Sequence, residues 1–168
     1  MLRFYAISFA IVILDQFSKK IILAKMALRD VVEVTSFFDI VHLHNYGAAF
    51  SFLHNAGGWQ RYFLSAISIL VSIVLPFYIK KNQHDIFLAM GLTLVLGGAI
   101  GNLVDRLFLG YVVDFVSLHI DSVFYWPAFN VADSAISLGV ILLIYDALKK
   151  KNDSVSYTHL TLPTILLV

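Results

Sequence analysis

Asp114 and Asp133 are the two residues of this chain best placed to do chemistry. Asp114 follows the outer end of a third long apolar segment, and Asp133 lies in the first turn of the fourth, which starts from the same side. A helical hairpin therefore brings both carboxylates to one membrane face. A helix N-terminus carries partial positive charge and favours ionisation of a carboxylate in its first turn. Asn130 stands where a capping residue belongs. A second carboxylate nearby cannot ionise as easily, so such a pair tends to share one proton. One acid and one base around a single water is the arrangement an aspartyl peptidase needs. The same two residues would also serve as a helix-end carboxylate and a loop turn, and spacing alone leaves both readings open.

Other chemistries lack their residues. The chain has no cysteine, which excludes disulfides, thiolate metal sites and cysteine nucleophiles. Its six histidines, His42, His44, His54, His84, His119 and His159, include no H-E-x-x-H pair. They read as interfacial or loop residues, and no metal is assigned to them.

The elements that must position the carboxylates follow from composition. Of 168 residues, 60% are hydrophobic and only 14% charged, and the mean hydropathy is +0.83. Soluble domains are about 45–50% apolar and about 25% charged. A chain this short cannot hide that excess in a water-soluble core. A span needs about 20 mostly apolar residues. Four stretches qualify: Phe4–Leu23, interrupted by Asp15, Lys19 and Lys20; Trp59–Ile79; Ile86–Leu109; and Val131–Leu148. The third holds Gly91, Gly97, Gly98, Ala99 and Gly101, small residues that allow close helix packing in lipid. No small-residue cleavage site follows the first, so it reads as a retained anchor.

Lysine and arginine in short loops set orientation. Arg3, Lys80, Lys81 and Lys149–Lys151 lie on one side, and Arg29 alone in the opposite loops. Both termini are thus expected in the cytoplasm, with the two long loops outside. In those loops Val31–Leu43 has β-branched and aromatic character and Tyr111–Leu118 reads as a short strand. The expectation is an all-α membrane protein of four transmembrane helices with a small extracytoplasmic β-rich region. Residues 1–153 form one domain, and 154–168 read as a disordered or non-native tail. The net charge of +1 suggests no nucleic-acid partner.

Five segments sharpen this reading: D-Q-F-S-K (Asp15–Lys19), N-Y-G-A-A-F-S (Asn45–Ser51), G-N-L-V-D-R (Gly101–Arg106), V-V-D-F (Val112–Phe115) and F-N-V-A-D-S (Phe129–Ser134). In content and order they resemble the signature blocks of lipoprotein signal peptidase, or signal peptidase II, from about Leu2 to Lys151. The resemblance implies an enzyme of the bacterial inner membrane. It would cleave lipid-modified prolipoproteins just before the diacylglyceryl-modified cysteine, at the outer face, with membrane lipid as its other partner. It makes Asp114 and Asp133 the catalytic pair, and Asn45, Asn102, Arg106 and Asn130 substrate-holding or dyad-supporting. Asn102 and Arg106 are four apart and share a helix face; an amide and a guanidinium suit the carbonyls of an extended peptide. Arg106 could also neutralise Asp105 or snorkel to the interface. Asp15 and Lys19, at i and i+4, form a structural ion pair on the leading reading, with a supporting role at the site left open. Gly47, Ala48 and Ala49 offer either a cleft lining or an ordinary turn. The implied mechanism is general acid–base hydrolysis of the peptide bond by a water, with no cofactor. A small proton-coupled transporter or channel subunit is the alternative; it would place its carboxylates near the bilayer midplane.

Overall fold

The computed structural model describes residues 1–47, 58–120 and 123–160, with side chains described as far as residue 151. In chain order the elements are α1 (Leu2–Lys25), β1 (Val31–Thr35), β2 (Phe38–Asn45), α2 (Trp59–Lys81), α3 (Ile86–Phe108), β3 (Val112–Ile120), β4 (Phe124–Tyr125) and α4 (Val131–Leu160). The fold is mostly helical with a small antiparallel sheet.

Among the described residues, three helices are long and apolar enough to cross a membrane: α2, α3 and the Val131–Lys151 part of α4. The fourth expected span, α1, matches them in length but carries Arg3, Asp15, Lys19, Lys20 and Lys25. α4 runs past Leu148, where its apolar run ends, and residues 154–160 continue the helix. No glycine or proline stands between Gly139 and Pro163 to stop it.

α3 is the central helix and packs against α1, α2 and α4. Its small residues make this possible: a Cβ on Gly98 would run into the carbonyl oxygen of Ala132, and one on Gly101 would sit 2.7 Å from an Asp15 carboxylate oxygen. At the far end from the carboxylates, Phe4, Ile79, Ala89, Leu92 and Leu96 close an apolar core. There the side chain of Asp85 caps α3 by accepting the Leu88 N–H at 3.2 Å.

The sheet has the order β1-β2-β3-β4, all antiparallel. The Val31–Leu43 stretch is a hairpin, β1 to β2, and the 111–118 stretch is β3. α3 reaches β3 through Gly110, whose φ of +91° is the left-handed conformation that ends many helices; its N–H and that of Leu109 both donate to the Asp105 carbonyl. Asn45 pairs with Val112 and Leu43 with Asp114, so the end of β2 and the start of β3 lie side by side. The return segment is clamped onto β3 by reciprocal bonds between Val116 and Phe129 (2.9 and 3.0 Å), which delivers Asn130 and the start of α4 to the same place.

Candidate active site

The start of α4 is built on a reciprocal cap. The Asn130 side-chain oxygen accepts the Asp133 N–H at 2.9 Å, while an Asp133 carboxylate oxygen accepts the Asn130 N–H at 3.3 Å. This is the logic of a capping box, which satisfies two orphan donors at once. The Asn130 amide group then reaches the other way and donates to Asp114 Oδ1 at 2.7 Å. One fully buried residue thereby touches both aspartates. The remaining oxygens are also held: Asp114 Oδ2 accepts from Asn45 at 3.0 Å, and Asp133 Oδ1 accepts from Asn102 at 2.8 Å. Five of the eight residues singled out from the sequence thus form a pair of carboxyls wrapped in three asparagine amides.

Beneath the pair lies a second, wholly buried cluster. The Lys19 ammonium spends its three donors on Asp15 Oδ2 (2.8 Å), Asp105 Oδ2 (2.9 Å) and Asn102 Oδ1 (3.0 Å). By fixing the Asn102 oxygen it turns the Asn102 amide nitrogen toward Asp133. Asp15 also accepts the Ala132 N–H of α4 at 2.9 Å, and Asp105 accepts the Val113 N–H of β3 at 3.1 Å. The cluster therefore ties α1, α3, β3 and α4 together under the site. Gln16, not singled out from the sequence, donates to both carboxylates and to the Gly101 carbonyl. Asp105, by sequence a candidate partner for Arg106, pairs instead with Lys19. Two carboxylates and one lysine in apolar segments must share partners when buried, and that was the available signal.

Arg106 donates to the Gly47 carbonyl at 3.1 Å and borders a cavity of about 270 Å³ between α2, α3 and α4, with Asn102 and Asp133 on its wall. Ala48 and Ala49 lie outside the described residues. His42 and His44 are not loop residues: both sit in β2, with their Nε2 atoms 3.2 Å apart and His44 stacked on Tyr111 at 3.6 Å. Burial, and then the neighbouring His42, lower the His44 pKa.

Asp114 stands on the sheet outside the helices. Burial pushes its carboxyl up to about 7, the charge of Asp133 adds to this, and the bonds from Asn45 and Asn130 work against it. An acid that retains its proton near neutral pH, beside a second carboxyl held at a helix N-terminus, can give and take protons around a bound water.

The arrangement of helices and sheet is that of a bacterial membrane enzyme. A solved structure described in those words, obtained by the in meso method, superposes with a TM-score of 0.81 at 36% identity, covering 91% of this chain and 92% of that one. The family model described as signal peptidase (SPase) II matches residues 7–149. The chain belongs to the signal peptidase II family. Among its relatives, the lipoprotein signal peptidase of Alteromonas mediterranea is 48% identical over 149 residues, covering 88% of this chain and 81% of that protein. That of Teredinibacter turnerae is 47% identical over 148 residues, covering 88% of each.

Proposed function

We propose that this protein is an aspartyl endopeptidase that removes the signal peptide from bacterial prolipoproteins by cleaving before a diacylglyceryl-modified cysteine. The observation that carries the reading is Asn130, one buried amide bonded to both Asp114 and Asp133. Asp133 takes a proton from water as the water attacks the scissile carbonyl. Asp114, protonated at neutral pH, donates to the developing oxyanion, and a proton then passes to the departing cysteine amine. Arg106 and Asn102, on the wall of the cavity between α2, α3 and α4, hold carbonyls of the signal segment. The apolar cavity lined by Trp126, Pro127, Phe129, Asp133 and Leu138, about 410 Å³, takes the lipid chains. The direct test is incubation of purified protein with a lipidated prolipoprotein; a size reduction is expected, and an uncleaved substrate would sink the reading.

The proton assignment sets a pH dependence. Turnover should fall by about tenfold per pH unit above about 7, as Asp114 loses its proton. A flat kcat/KM between pH 6 and pH 9 would take the acid role from Asp114. Stability should move in the same direction. An Asp114 carboxyl raised from 3.8 to about 7 means the native state binds more protons than the unfolded chain across that window. Its stabilising contribution is full below the unfolded value and is lost as pH rises through the folded one.

We further propose four spans, both termini in the cytoplasm and the site at the outer face. The support for α1 is its reversed amphipathicity: Asp15 and Lys19 are buried at 0% and 2% exposure while Phe9 and Phe17 are exposed at 68% and 64%, the pattern expected where lipid is the solvent. Six of the seven loop and terminal cations lie on the cytoplasmic side. Reporter fusions after Lys81 and Lys151 should read cytoplasmic and one at Val123 outside. An inside signal at Val123 would remove the site from the outer face.

A further inference from the structure

Three cavities meet at the two aspartates, and they differ in character. The one between α2, α3 and α4 opens among helices, and the one beside Trp126 and Leu138 is apolar. The third, about 370 Å³, lies on the sheet side of Asp114 and is lined by Arg29, His44, Asn45, Tyr46 and Pro127 among others. A prolipoprotein presents three arms at its scissile bond: an apolar signal segment, a lipid on the cysteine, and a polar mature chain already outside the membrane. The first two belong with apolar walls, so the polar chain is left with the sheet-side cavity.

Arg29 gives that cavity its charge. It is the only lysine or arginine in the two outer loops. Its guanidinium has no ion-pair partner among the described residues, whereas the one carboxyl on the cavity wall, Asp114, is bonded to Asn45 and Asn130. Its placement is also built in. Arg29 is the one non-glycine residue with positive φ (74°) among the described residues, a conformation disfavoured for a side chain of this size. The Arg29 N–H donates to the His42 carbonyl at 2.8 Å, the His42 N–H donates to the Asp30 carbonyl at 3.1 Å, and Asp30 Oδ2 accepts the Ala27 N–H at 2.7 Å. The turn is thereby stapled to β2, two residues from His44 on the cavity wall. Such outliers persist where the surrounding structure over-determines them, often at ligand sites.

We infer that the sheet-side cavity is the subsite for the residue following the lipidated cysteine, and that Arg29 is a specificity-determining residue there, favouring an acidic side chain over a basic one. This rests on the peptidase reading above. The test is competition, in one vessel, between two lipidated prolipoproteins that differ only in Asp or Lys at that position. The ratio of their kcat/KM values is insensitive to ionisation of the aspartates. The wild-type protein should favour Asp by about five-fold, the upper range for an ion pair in contact with water. Arg29→Gln should bring the ratio near unity and Arg29→Glu should reverse it. Added salt should also shrink the wild-type ratio, a readout that needs no variant. A wild-type ratio of unity, a ratio indifferent to salt, or one unchanged in Arg29→Gln would overturn the inference while leaving the peptidase standing. Failure of the wild-type protein to cleave either substrate would overturn the peptidase reading itself.

Discussion

Asp114→Asn and Asp133→Asn are each expected to lower turnover of a lipidated prolipoprotein by roughly 10²–10⁴-fold, the usual worth of a positioned acid or base. Asparagine is nearly isosteric with aspartate and keeps one of its two accepting oxygens, but it cannot exchange a proton. At position 133 its single oxygen can still accept from Asn102 and its backbone N–H can still donate to Asn130, so only the bond from the Asn130 N–H is lost from the cap on α4. At position 114 it removes a carboxyl that burial already penalises, so a variant less stable than wild type above about pH 7 is not expected. The double variant should be scarcely worse than either single one, because groups acting as a unit lose their joint function at the first substitution. Purified variants with wild-type melting temperatures provide the measurement. A well-folded Asp133→Asn protein with near-normal turnover would exclude the aspartyl mechanism.

Much of this site could be read from residue order, for identifiable reasons. Long apolar runs mark helices because a span of about 20 apolar residues in lipid must satisfy its backbone groups within the segment. The first turn of α4 was readable because an asparagine followed three residues later by an aspartate has a local mechanism, the reciprocal cap seen between Asn130 and Asp133. What could not be read was pairing across the chain. The link from Lys19 to Asn102 joins residues 83 apart, and nothing in either segment points to the other. The local i, i+4 spacing did lead to the Asp15–Lys19 pair, which is present at 2.8 Å. Asp105 completes it through the tertiary contact of α1 with α3, and that contact depends on the small residues of α3 facing α1. Likewise Arg106 and Asp105 are neighbours in sequence but point to different faces of α3, one toward Gly47 and one toward Lys19. Adjacent helical residues do not face each other. The strands show the same limit. Their existence followed from composition, but the register that sets Leu43 against Asp114 depends on a bulge between Ile40 and Leu43.

Lys19→Met is expected to cost the protein roughly 3–5 kcal/mol of stability, the penalty for stranding buried charge when its partner is removed. Methionine fills nearly the same space with an apolar chain, so a cavity is not the cause. Asp15 and Asp105 are 0% and 2% exposed, and without the ammonium neither buried carboxyl keeps its ion-pair partner. Each also carries a backbone N–H from a neighbouring element, Ala132 at the start of α4 and Val113 at the start of β3. Protonating or displacing them would disturb the two segments that present Asp133 and Asp114. Thermal or chemical unfolding in detergent should show the loss directly. Adding Asp105→Asn to Lys19→Met should recover part of it, since one stranded charge is removed while an oxygen remains for the Val113 N–H. Turnover should recover less than stability in that double variant. Asn102 would still lack the ammonium that holds its oxygen and aims its nitrogen at Asp133. A Lys19→Met protein as stable as wild type would mean that the Lys19 ion pairs do not hold the cluster together, and the account of how these four elements are joined would have to be abandoned.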